Sequence, residues 1–374
     1  MIALEKLAAT SAELFNPYLK DWKEKGKKVI GYTGTYIPEE IIYAAGMLPY
    51  RIRGIGCVKT VDADAFYGPV NCSYARCCLQ LAIDGSYDFL DGAIFFYECD
   101  HMRRLYDNWR GQKKMPSFLH YLGLVHSITE HGLELFMKET LELKEHLEKH
   151  FGVKITEEKL RNAIKIYNET RNLLKELYKL RKKDEPLITG AETLAVVVAG
   201  TAMPKDEYNR LLKELLNEIG GRGGIFGKPR LMVGGSVNDD PGLIKLIEDL
   251  GAIVVADSLC FGARYFWDMV EEDEDSLRSI VTRYLYHIPC PRMFGEYPKR
   301  LNFIKDMARD AKIDGVILQN IRFCDMHGAD NTLLQRDLEK EGIPVLRLER
   351  QYGPLADVGR IKTRVQAFLE RIRK

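Results

Sequence analysis

Residues 91–100, DGAIFFYECD, and residues 314–325, DGVILQNIRFCD, decide how this chain folds. Each opens with Asp-Gly, continues through a short apolar run, and reaches Cys-Asp. Such a run, bounded by a turn residue, suits a strand buried on both faces. Working outward, the match continues in order. EEIIYAAGMLPYRIR (39–53) corresponds to LIKLIEDLGAIVVAD (243–257), in each case a helical pattern stopped by glycine and followed by a strand. PSFLHYL (116–122) corresponds to IPVLRLE (343–349). Upstream strands are expected at 29–31 and 230–233, and Pro38 with Glu39 and Glu40 suits a helix start. Strands alternating with helices specify a parallel sheet with both faces covered. The expected fold class is therefore α/β: two similar open parallel-sheet lobes of Rossmann or flavodoxin type, with a helical insert between them.

The insert is read from residues 127–183, where charged sequence such as LELFMKETLELKEHLEKH carries Leu, Phe and Met at three- and four-residue spacing. Another helix is expected at 206–219. The expected organisation is an N-terminal lobe at 1–126, insert and linker at 127–225, and a C-terminal lobe at 226–374. Ligands of such sheets bind at the carboxyl ends of the strands.

The chain has 374 residues, with 55 Lys and Arg against 54 Asp and Glu, a net charge of +1. That balance argues against a general nucleic-acid or membrane-surface binder, which needs an excess of basic charge. The basic runs at 110–114 and 179–183 read as solvated faces. The opening MIALEKLAATSAELF has neither the basic nor the long apolar region of a signal peptide. The longest apolar run, at 194–203, falls short of the ~20 residues that span a bilayer. A cytoplasmic protein is expected, and there the eight cysteines are core residues or metal ligands, not disulfides.

Six of those cysteines fall at matched places along the two halves. Cys57 and Cys260 follow the second strand of each, Cys72 and Cys290 lie between the second and third, and Cys99 and Cys324 end the third. Cys77 and Cys78 sit inside the helical pattern SYARCCLQLA and read as small core residues. Thiolates favour soft iron or zinc. Zinc sites usually show close C-x2-C pairs, absent here, so separate loops converging on an iron–sulfur cluster fit better. The competing reading is six buried, reduced thiols at strand ends.

The stretch KVIGYTGTYIPEEIIYAAGMLPYRIRG resembles the opening of the 2-hydroxyacyl-CoA dehydratase and benzoyl-CoA reductase family. The likeness continues in order through NCSYARCCLQLA, FLDGAIFFYECDHMRRLYDNW, VVADSLCFGARYFWD, YLYHIPCP, DGVILQNIRFCDMHGADN and GIPVLRLE. The resemblance implies two α/β lobes and a [4Fe-4S] cluster held by Cys72, Cys99 and Cys324. It also implies an oxygen-sensitive, low-potential enzyme that passes one electron to an acyl-CoA thioester. The resulting ketyl radical anion loses a β-hydroxyl or begins reduction of an aromatic ring. The electron comes from a separate ATP-hydrolysing activator carrying its own [4Fe-4S] cluster, and the chain pairs as a homodimer or with a related chain. GRGGIFGKP (221–229) agrees that ATP chemistry lies elsewhere: Pro229 stands where a phosphate loop needs Ser or Thr, and the segment precedes a strand, so it reads as a turn. Adding Cys57, Cys260 and Cys290 gives six thiols, enough for the bridged double cubane of a second branch that reduces small molecules. A third possibility is a non-catalytic electron-transfer subunit of a heterodimer. All three readings stand at this point.

Further candidates are His101 and His327, close after Cys99 and Cys324, as proton donors. Arg103, Arg104 and Arg264 are candidates for CoA phosphates or a partner's acidic surface. Tyr32, Thr33 and Thr35 lie after the first strand and before a helix, where an anion or acyl group could sit. For each of these the alternative is an ordinary loop, capping or surface role.

Overall fold

The computed structural model describes residues 1–123, 126–353 and 357–373. Its two sheets are β1 (Val29–Tyr32), β2 (Leu48–Arg51), β3 (Gly92–Phe96) and β4 (Phe118–Leu122), then β5 (Arg230–Gly235), β6 (Ile253–Ser258), β7 (Gly315–Ile321) and β8 (Val345–Arg350). The strand orders are β2-β1-β3-β4 and β6-β5-β7-β8, and every pairing is parallel. The two halves thus share one topology, as their matched segments require. In each, the chain steps from the first strand to one neighbour and then crosses back to the other side. The order therefore reverses between β1 and β3 and between β5 and β7, where loops diverge and leave a crevice.

The apolar runs account for the burial. Every residue of β1, β2, β3 and β6 is buried, because helices cover both faces. β7 continues three residues beyond the apolar run, to Ile321, although Gln319 and Asn320 look like a strand end. Gln319 is tolerated there because its polar atoms are satisfied: Nε2 donates to the Ser236 carbonyl and Oε1 accepts from Arg350 Nε at 3.0 Å. Gly235, at the end of β5, has φ +112, and a Cβ there would stand 1.9 Å from the Gln319 carbonyl oxygen. Only glycine lets the backbones approach so closely.

The insert forms the helices Glu130–Phe151 and Glu157–Arg181, each started by a threonine: Thr129 accepts from Gly132 N at 3.0 Å, and Thr156 from Lys159 N at 3.3 Å. The second helix is fastened to both lobes by buried ion pairs. Arg171 meets Glu40 of the first, and Arg181 meets Asp257 of the second, both at 2.5 Å. The cores also cross over. The helix Ile2–Ala12 joins the core of the second sheet through Leu4 and Leu7, and Ser276–Tyr286 joins that of the first through Ile280 and Tyr284. The segment 221–229 is irregular chain leading into β5, as its sequence implied. Among the described residues no helix is long and apolar enough to cross a membrane.

Candidate functional site

Both switch points open onto one cleft between the lobes. Gly34, Thr35, Glu98 and Cys99 reach it from the ends of β1 and β3; Ser236, Val237, Ile321 and Cys324 reach it from β5 and β7. Cys72, Cys260 and Cys290 complete a set of five thiols lining the same space.

Three of the five share a local geometry. Cys72 is the N-cap of the helix Ser73–Ile83, Cys99 of Asp100–Arg110, and Cys324 of Asp325–Lys340. The positive ends of three helices therefore converge where the sulfurs stand, an arrangement that favours anionic sulfur. Burial opposes it. It pushes Cys72 up, against the pull of the Ala75 and Tyr74 N–H groups, pushes Cys99 well above its ordinary range, and takes Cys324 up to about 12. Cys290 is likewise pushed up by burial, to about 11. As free thiols these groups are protonated; a soft cation would hold them as thiolates.

Cationic side chains surround the thiols. Arg51 donates from Nη1 to the Cys260 carbonyl at 2.6 Å, and Arg264 from Nη2 to the Gly235 carbonyl at 3.2 Å. The facing carboxyl is Glu98, which burial pushes up to about 7 while Arg51, Arg292 and Arg264 pull the other way. Gly34 leaves room for it: with φ +70, a Cβ there would lie 1.7 Å from Glu98 Oε1. Arg51 Nε, Arg264 Nε, His101 Nδ1 and His327 Nδ1 are buried cleft atoms without hydrogen-bond partners. Soft sulfur donors, surplus guanidinium charge and unsatisfied polar atoms together fit a negatively charged iron–sulfur group. A single ion needs its donors within about 2.3 Å of one point. Among the described residues no three His, Cys, Asp or Glu side chains meet in that way. A multi-iron cluster is wider, and thiols spread around a cleft suit it.

The sixth expected ligand, Cys57, is not brought to this cleft. It lines a separate cavity with Asn238, Arg350 and Tyr352, and its thiol faces Cys77. Gly54, just before it, passes where no side chain would fit: a Cβ there would stand 2.4 Å from the Tyr352 ring and 3.0 Å from Cys77 Cβ. Cys77 and Cys78 are buried core residues, as expected. His101 bridges the lobes, with Nε2 2.9 Å from the Phe323 carbonyl. That carbonyl can only accept, so Nε2 carries a proton toward it. His327 is held neutral, pushed well below its ordinary value by burial and by Arg264 and Arg300. Arg264 lines the cleft, whereas Arg103 pairs with Asp100 at 3.7 Å and Arg104 donates to Asn71 at 3.3 Å. Thr35 lines the cleft, and Tyr32 and Thr33 are buried beside it.

Sequence reasoning passed over Arg51, Tyr36 and Glu98. The signals were present: Arg51 is a charge ending an apolar strand, Tyr36 sits in the loop after β1, and Glu98 immediately precedes a strand-end cysteine.

The profile of the family described as 2-hydroxyglutaryl-CoA dehydratase, D-component, matches residues 34–372. Among curated proteins, the chain is 28% identical over 357 residues to the (R)-phenyllactyl-CoA dehydratase beta subunit of Clostridium sporogenes, covering 94% of each. It is 28% identical over 362 residues to the beta subunit of the (R)-2-hydroxyglutaryl-CoA dehydratase of Acidaminococcus fermentans, with 94% of each covered. With one of the subunits of benzoyl-CoA reductase from Thauera aromatica the identity is 29% over 337 residues, covering 87% of each.

Proposed function

This chain belongs to the 2-hydroxyglutaryl-CoA dehydratase D-component family, and from that premise we propose that it is an iron–sulfur reductase or dehydratase component acting on an acyl-CoA. Cys72, Cys99 and Cys324 would hold a [4Fe-4S] cluster, which when bound supplies low-potential one-electron reduction. The observation carrying this reading is that three N-cap cysteines, one beside and two at the switch points of facing sheets, converge on one cleft. Arg51 and Arg264 balance the negative charge of the thiolates and of a bound carbonyl oxygen. His101, oriented by the Phe323 carbonyl, is placed to move a proton at Nδ1. The covering helices exclude water, which a reactive radical requires. The electron source is a separate ATP-hydrolysing activator with its own [4Fe-4S] cluster. The working unit is a dimer with a second copy or a related chain, in the cytoplasm.

A second reading rests on Cys260 and Cys290, which line the same cleft. They favour a double cubane reducing small molecules, for which Cys57 would have to leave Cys77 to become the sixth ligand. The test is iron and acid-labile sulfide per chain after anaerobic purification, with the EPR spectrum of the reduced protein. About four irons, lost in C99S and kept in C57S and C260S, support the first reading. About eight, falling in C260S and C290S, support the second. An iron-free protein after reconstitution overturns both.

A further inference from the structure

A histidine cluster lies on the outer side of the first lobe, remote from the cysteine cleft. His120 is in the middle of the edge strand β4, on the same face as Phe118 and Leu122. That face meets the helix Glu130–Phe151, which carries His146 and His150 one turn apart. All three imidazoles stand around the ring of the buried Phe118, with centroids at 6.3, 4.5 and 5.3 Å. His120 Nδ1 and His146 Nδ1 are 3.1 Å apart, and His150 Nε2 is 3.2 Å from Ser117 Oγ. His120 has no other polar partner, since its Nε2 is buried without one.

Two neutral imidazoles joined by one shared proton are a weak reason to gather three histidines on an apolar floor. A tetrahedral ion with metal–nitrogen bonds of ~2.0–2.1 Å holds its nitrogens about 3.3 Å apart, close to the spacing of His120 and His146. We propose that His120, His146 and His150 bind a divalent transition-metal ion of the zinc and nickel class, which clips the insert's first helix to the edge strand. His120 Nδ1 and His146 Nδ1 stand at hydrogen-bond distance, and no three such donors meet among the described residues as they stand, so the site forms when His150 rotates its exposed ring away from Ser117 and the His120–His146 bond gives way to the ion. Imidazole donors without sulfur suit these ions, and iron–sulfur chemistry plays no part.

The test is equilibrium dialysis of the full-length, anaerobically reconstituted protein against Ni²⁺, with metal counted by mass spectrometry. One Ni²⁺ per chain is expected. H120Q, H146Q and H150Q should each weaken it by at least about tenfold, while K149Q leaves it unchanged. His146 and His150 are exposed, so their variants keep the fold, checked by circular dichroism. Retention unaltered by H146Q and H150Q, or no retained Ni²⁺, overturns the assignment.

Discussion

Replacing Arg171 with alanine tests how firmly the insert is tied to the first lobe. Arg171 Nη2 donates to Glu40 Oε1 at 2.5 Å, and Tyr284 OH donates to Glu40 Oε2 at 2.8 Å. The two charged side chains are 5% and 0% exposed, so water cannot take over a lost partner. Removing one member of such a buried pair costs about 3–5 kcal/mol, against about 0–1 for an exposed pair. R171A should therefore lose about 3–5 kcal/mol in urea unfolding. The double variant E40M/R171M, with no buried charge left, should recover most of that loss. Burial alone would raise Glu40, but Arg171 and Arg283 more than offset it and hold the carboxyl below its ordinary value. The sign follows: a depressed folded value gives stability that is present above the unfolded Glu value of about 4.3 and lost as pH falls through the folded one. E40Q should be less stable than the parent at neutral pH and should flatten the acid side of its stability profile. An R171A loss below about 1 kcal/mol would show that the pair behaves as a surface pair and would refute the reasoning. A double variant worse than the sum of its singles would refute it too.

Two further outcomes follow from backbone geometry. G235A should destabilise the protein by more than the about 1–3 kcal/mol of a strained backbone conformation, because the new Cβ meets the Gln319 carbonyl at 1.9 Å; an unfolding midpoint equal to the parent's would contradict that contact. Phe323 holds φ +67 just before Cys324, so F323G should be close to neutral, the relieved ~1–2 kcal/mol offsetting lost packing of a half-buried ring. F323V should be clearly destabilised because a β-branched residue resists that conformation, and equal midpoints for the two variants would refute the strain.

The positions and parallel direction of the eight strands were legible because apolar runs bounded by turn residues leave little choice for a strand covered on both faces, whereas their order within each sheet was not. The tail of β7 was not, since Gln319 and Asn320 look polar in sequence and only the fold supplies their partners. The shared cores were equally hidden. Nothing in the composition of residues 2–12 says that this helix joins the second sheet, because an apolar stripe records that it is covered but not by what.

The cysteines show the same limit at the site. Their order along the chain pairs Cys72 with Cys290, but the fold does not. Cys72 precedes the helix Ser73–Ile83 and caps it, whereas Cys290 follows Ser276–Tyr286 and caps none, its N–H being held by Tyr36 OH at 3.0 Å. Cys99 and Cys324 do correspond, each at the end of a third strand with aspartate opening the next helix. The repeat therefore yields two equivalent N-cap thiols, and a break in it supplies a third from the first lobe only. A site built from duplicated lobes is in this way asymmetric, with the three N-cap thiols sharing one cleft with Cys260, Cys290, Arg51 and Arg264. Those four residues would serve a bound substrate oxygen or a second cluster, and iron content in C260S and C290S separates the two.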